Sequence, residues 1–126
     1  VQRLAETDGV SVTGRVDDVR PELLAAAVSV SSLRLGRGVP NKILEALGLG
    51  MSVVTTSNGA AGLALDEFPG VDVADEPAEF ARAVVRRLKE AQGGRVRYPE
   101  HRALLKQHYS WPSAEAAFLK LARGDA

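Results

Sequence analysis

Within residues 37–54 the chain reads RGVPNKILEALGLGMSVV. A turn with Gly38 and Pro40 leads into a short helical pattern, two glycines follow, and a β-branched run closes the stretch. Arg37 and Lys42 stand where that helix begins. Aligned peptide dipoles give a helix N-terminus partial positive charge, so cations are disfavoured there unless an anion is bound. The chemistry open to these residues is therefore anion recognition: backbone N–H groups of the first turn, assisted by Arg37 or Lys42, around a phosphate. At about 100° per residue, Ile43, Leu44 and Leu47 share a face that must be buried, and Asn41, Lys42 and Glu45 lie opposite. A solvated polar face with a Lys42–Glu45 pair accounts for the same residues without a ligand. That pair has its charges in the less favourable order, and Lys42 sits in the wrong half for the dipole, a misfit of a few tenths of a kcal/mol.

Holding such a helix in place takes a sheet. Residues 10–13, 28–31, 52–55 and 70–74 are short strand-like runs. Helical patterns cover 18–27, 41–47, 77 to the Gly93-Gly94 pair, 99–108 and 112–123. Pro21 and Pro77 fall in first turns, where a missing N–H costs nothing. Strand and helix alternating in this way predict an α/β fold, a Rossmann-like parallel sheet with flanking helices. Ligands of such sheets bind in the crevice beyond the carboxyl ends of the strands. Three glycine-bearing segments are expected there: residues 14–18 with Gly14 and Val16, residues 32–41, and residues 57–62. Glycine lets backbone approach a ligand closely, yet glycines also end strands in any α/β protein. No single loop identifies a site.

Composition narrows the classes. The chain has 126 residues, the size of one domain, and its 16 basic residues match its 16 acidic ones, so no global field points to nucleic acid or an anionic membrane. There is no Cys, hence no disulfide framework and no thiol chemistry. No apolar run reaches membrane-spanning length. The opening VQRLAETDG resembles the end of a helix with Gly9 just past it, which leads us to expect a fragment of a longer protein. His101 and His108 lie in a tail helix, where a surface or capping role is expected rather than catalysis.

The stretch RGVPNKILEALGLGMSVVTT resembles the donor-site motif of the retaining GT-B glycosyltransferases, usually E-G-x-G-x-P-x-x-E-A-x-A-x-G-x-P-V-V. Glu45-Ala46-Leu47, Gly50 and Val53-Val54 match it in register. Upstream, Val12-Thr13-Gly14-Arg15-Val16-Asp17-Asp18 is similar to the family's strand and G-x-V-D-D loop. Downstream, Asn58-Gly59-Ala60-Ala61-Gly62-Leu63, Glu76-Pro77-Ala78-Glu79-Phe80-Ala81 and Tyr109-Ser110-Trp111 resemble further landmarks. The resemblance covers nearly the whole chain in the right order. It implies a nucleotide-sugar donor site in which Glu45 holds ribose hydroxyls. It places Gly38, Val39, Pro40, Asn41 and Lys42 near the diphosphate and donor sugar, and Gly14 and Val16 against the base. Among the departures from the motif, Arg37 stands for its first Glu and Pro40 for its second glycine. A subset of bacterial exopolysaccharide-linked transferases with R-G-x-x-N-K-x-L-E-A looks similar, so Arg37 suggests a subgroup or a changed donor sugar.

What the resemblance further implies is that the catalytic residues and acceptor pocket belong to a separate N-terminal domain, with the diphosphate-gripping basic pair on this domain's first strand and helix. The parent enzyme would move a sugar from a nucleotide diphosphate sugar to a hydroxyl acceptor, with no bound metal or cofactor and no nucleic-acid partner. It would work in the cytoplasm, peripheral at the inner membrane face as a variant of that expectation. The family's strand order 3-2-1-4-5-6 would leave residues 28–31 with an open apolar edge, so a homodimer of the chain is expected. A non-catalytic binding module of the same fold is the alternative reading, and a nucleotide-sugar epimerase a third.

Overall fold

Short β-branched runs become strands here only where they find neighbours. The structure is a computed structural model that describes residues 2–35, 40–92 and 94–123. Its sheet has three parallel strands in the order β1 (Val28–Ser31), β2 (Ser52–Thr55), β3 (Val71–Val73). Val28 pairs with Ser52 and Ser31 with Thr55, while Val53 pairs with Val71 and Thr55 with Val73. Ser31, Thr55 and Val73 therefore end the strands side by side. The α/β, Rossmann-like fold expected from the alternation is the fold observed.

Helix α1 (Arg20–Ala25) precedes β1, and α2 (Asn41–Gly48) connects β1 to β2. Ile43, Ala46 and Leu47, spaced three and four apart, bury the inner face of α2. They form the core with Met51, Val53, Leu65 and Phe68. Val54 is fully buried but stands outside that cluster, because successive strand residues point to opposite faces. Helix α3 (Pro77–Glu90), which packs on β1 and β2, covers that second face with Ala83. All four residues of β2 are buried between the two layers, which is why β2 reads as a continuous apolar and hydroxyl run. Asp72 of β3 ties down the far half of α3 through Arg86 and Arg87, both at 2.6 Å.

Helix α4 (His101–Tyr109) packs against α2, and α5 (Trp111–Ala122) follows after Ser110. The segment between α3 and α4 runs across the amino ends of the strands and seals them. Arg95 donates to the carbonyl of Ala25, and Arg97 donates to those of Leu24 and Ala26. The Tyr98 N–H donates to Gly50 at 2.8 Å. His101 Nε2 lies 2.7 Å from the Pro69 carbonyl, which can only accept, so Nε2 carries the proton and donates. Gly50 ends α2 with φ +69°, and a Cβ there would meet the Tyr98 carbonyl at 2.9 Å. Only glycine meets both demands.

Three expectations need correcting. Residues 10–13 form no strand: Val10 and Val12 are 42% and 38% exposed, because no ladder partner lies alongside them among the described residues. Propensity without a partner does not make a strand. Residues 2–6 form a 3-10 helix with Gly9 beyond it at φ +78°, in keeping with the helix end expected there. Helix α3 stops at Glu90, short of Gly94, and Gly93 lies outside the described residues. His101 is fully buried, not a surface residue: it stacks on Tyr98 at 5.1 Å and meets the Phe68 ring edge-on at 5.4 Å. His108, by contrast, is partly exposed and pairs with Glu67 at 3.1 Å. The expected open edge is present, since β1 pairs only with β2 among the described residues and Val30 is 56% exposed.

Candidate functional site at the carboxyl edge

The loops leaving β1, β2 and β3 meet at the carboxyl edge, and side chains lace them together. Thr55 Oγ1 donates to the Ser31 carbonyl at 3.2 Å, and Thr56 Oγ1 donates to that of Leu33 at 2.5 Å. Asn58 Nδ2 donates to the Arg34 carbonyl at 2.8 Å. Gly59 lets the β2 loop fold back this tightly: a Cβ there would run into Thr55 Oγ1 and approach the Ser31 carbonyl at 3.3 Å. On the β3 side, Asp75 accepts twice from one residue, the Ser57 N–H at 2.8 Å and the Ser57 hydroxyl at 2.6 Å. Those two bonds, the hydroxyl's first, hold the Asp75 carboxyl below its ordinary value. Of the three expected loops, residues 32–35 and 57–62 are at this edge. Residues 14–18 follow no strand of the sheet, so the structure does not place Gly14 and Val16 at a strand end. Gly14 has φ +69° with nothing near its missing side chain, and Val16 is 37% exposed.

Helix α2 begins beside this edge. Pro40 precedes it without a side-chain cap, and Pro40's carbonyl accepts from Ile43 and Leu44. The N–H groups of Asn41 and Lys42 lie in the first turn, where a helix has no acceptors of its own. Asn41, Lys42 and Glu45 are all exposed while Ile43 and Leu47 are buried, as the periodicity predicts; Ala46 is buried with them, and Leu44, expected on the buried face, is only half-buried. Among the described residues no ion pair joins Lys42 to Glu45, so the ligand-free account of this face lacks its central contact. Arg37, Gly38 and Val39 lie outside the described residues. The structure thus assembles Pro40, Asn41, Lys42 and Glu45 on one helix start and leaves Gly14 and Val16 unplaced at the edge.

Asp75 was not legible as a site residue. Its only sequence signal is an acid just before the proline-led start of a helix, which a favourable dipole contact explains equally well. Its pairing with Ser57, eighteen positions away, is a product of the strand register. Among the described residues no group of three or more His, Asp or Glu side chains could hold a metal ion. No helix among them is long and apolar enough to cross a membrane.

Neither the curated proteins nor the solved structures contain a match to this chain. A family model described as "Glycosyl transferases group 1" matches residues 1–90. That span runs through α3 and includes all three strands, α2 and the laced loops. A family match over more than half of the chain, on a parallel α/β sheet with a polar helix start at its carboxyl edge, places the chain in the group 1 glycosyl transferases.

Proposed function

We propose that this chain supplies the nucleotide-sugar donor site of a glycosyltransferase that moves a sugar from a nucleoside diphosphate to a hydroxyl acceptor. The observation that carries the reading is the start of α2. It is an uncapped helix N-terminus at the carboxyl edge of a parallel sheet, and it displays Asn41, Lys42 and Glu45 to solvent. Diphosphate would meet the N–H groups of the first turn and the Lys42 ammonium. Glu45, one turn on, would accept two hydroxyl hydrogen bonds from the ribose, both charge-assisted. Positive groups and the helix dipole would stabilise the leaving diphosphate, the task a metal ion performs in other transferases.

The R-G-x-x-N-K-x-L-E-A pattern supports a bacterial enzyme of cell-surface polysaccharide or glycoconjugate synthesis. In this reading the acceptor and catalytic groups come from a second domain, whose closure excludes water and aligns the sugar, so the 126-residue chain by itself transfers none. Arg37 in place of the motif's first Glu fits a subgroup or a changed donor sugar; a non-catalytic module that keeps the fold without the chemistry is the alternative.

Titration of the isotopically labelled chain with UDP, GDP and ADP, followed by NMR, tests the donor site. The expected dissociation constant is about millimolar, because one helix turn and a few exposed groups make the grip. Shifts should cluster at residues 40–45, and Glu45→Gln should weaken binding about tenfold. Shifts confined to α4 and α5, with none near Glu45, would rule the assignment out.

A further inference from the structure

A recess opens at the carboxyl edge, on the side of the sheet covered by α3. It has a volume of about 250 Å³ and is lined by Ser32, Arg34, Thr56, Asp75, Pro77 and Phe80. Drug-sized ligands fill cavities of roughly 300–1,000 Å³, so this one suits a single small ring. Its walls are preorganised. The backbone of Leu33 and Arg34 is stapled by Thr56 and Asn58, and the Asp75 carboxylate is clamped in place by both donors of Ser57. Each carboxylate oxygen has a further lone pair for a donor. Phe80 and Pro77 supply an apolar wall.

The Asp75 carboxylate accepts from hydroxyl groups with charge-assisted bonds, and the Arg34 guanidinium on the same wall offers donors to hydroxyl oxygens. The apolar wall suits the C–H face of a ring whose rim is hydroxylated. The start of α2 differs from it, with free N–H groups and a cation that favour anions and no carboxylate in its first turn.

We propose that the Asp75–Ser57 recess is a sugar subsite, holding one pyranose ring by hydroxyl bonds to Asp75 and contact with Phe80. This rests on the sugar-transfer reading above and adds to it a residue pair and a chemical class. The ring could come from the transferred sugar of the donor or from a carbohydrate acceptor, since both present the same hydroxyl rim.

NMR titrations of the labelled chain with UDP and GDP, with UDP-glucose and GDP-mannose, and with free glucose and mannose separate these sources. A response at Ser57, Asp75 and Phe80 to a nucleotide sugar but not to its nucleotide identifies the donor's sugar. The same response to a free monosaccharide identifies an acceptor. Asp75→Asn should weaken the recess response at least about tenfold and leave the nucleotide shifts at residues 40–45 unchanged. Nucleotide shifts at α2 with no recess response to any sugar overturn the subsite and leave the donor site standing. Sugar shifts at the recess with no nucleotide response at α2 do the reverse. An Asp75→Asn protein that binds sugar as the parent chain does also overturns the subsite.

Discussion

The two edges of the sheet are built in opposite ways. At the amino edge, residues 95–101 run along the strand starts and satisfy them in turn, from the α1 carbonyls through Gly50 to Pro69. Tyr98 and His101 stack there over a tightly approached glycine. At the carboxyl edge the loops are tied to one another, but polar groups are left facing out: the first turn of α2, Lys42, Glu45 and the outer lone pairs of Asp75. A buried polar group without a partner costs about 1–3 kcal/mol, so the paired backbone groups of the sealed edge contribute stability, although His101 Nδ1 is buried there without a partner among the described residues. Groups left in water can change partners when a ligand arrives, so the open edge is the one available to the proposed donor. On that proposal, stability and binding are divided between the ends of the same three strands.

That division makes three predictions. The largest effect belongs to the sealed edge. Gly50→Ala forces a Cβ into a left-handed backbone at 2.9 Å from the Tyr98 carbonyl, and should cost roughly 3 kcal/mol in chemical denaturation. A loss near zero would mean that the strap from residue 95 to 101 is not what closes that edge.

A smaller effect, of opposite sign, is expected at the open edge. Lys42→Glu removes a cation from a helix start and puts an anion there, which should raise stability by about 0.3–1 kcal/mol. The same change should abolish measurable nucleoside diphosphate binding, because the new carboxylate occupies the phosphate's electrostatic role and repels it. Stability gained while binding is lost would be direct evidence that Lys42 is placed for a ligand. If both fall together, α2 has been misread as a binding helix.

The smallest effect sharpens the comparison within the carboxyl edge. Asp75 titrates below its ordinary value of 3.8 in the folded chain, chiefly through the Ser57 hydroxyl. A carboxyl with a depressed folded-state pKa contributes stability above its unfolded value, and that contribution is lost as pH falls through the folded value. Ser57→Ala leaves only the backbone donor, so carbon-detected NMR should show the Asp75 carboxyl moving back up towards 3.8. Denaturation curves of the two proteins should converge as pH drops below that range. An unmoved Asp75 titration would show that the backbone N–H alone sets it.

Much of the fold was legible because its signals are local. The α2 pattern predicts Asn41, Lys42 and Glu45 outside and Ile43 and Leu47 inside, and the structure agrees. Residues 28–31 and 52–55 are strands as read, the run read at 70–74 is a strand over Val71–Val73, and Pro77 opens α3 as expected. Residues 10–13 have the same β-branched character as residues 28–31 and yet do not pair. His101 and His108 share one helix and read alike, but one is in the core and the other faces Glu67. Asp75 gave almost no signal, although it holds the best-ordered carboxylate at the candidate site.

By itself, then, the sequence determined the α/β class, the parallel strands β1 to β3 and the polar outer face of α2. Each of these follows from side-chain period, turn residues and propensities within a few positions of the chain. Tertiary structure alone decided which β-rich run found a ladder, which histidine was buried, and that Ser57 would clamp Asp75 at the end of the neighbouring strand. Those outcomes depend on strand register and on which surfaces meet, and residues far apart in the chain settle them together.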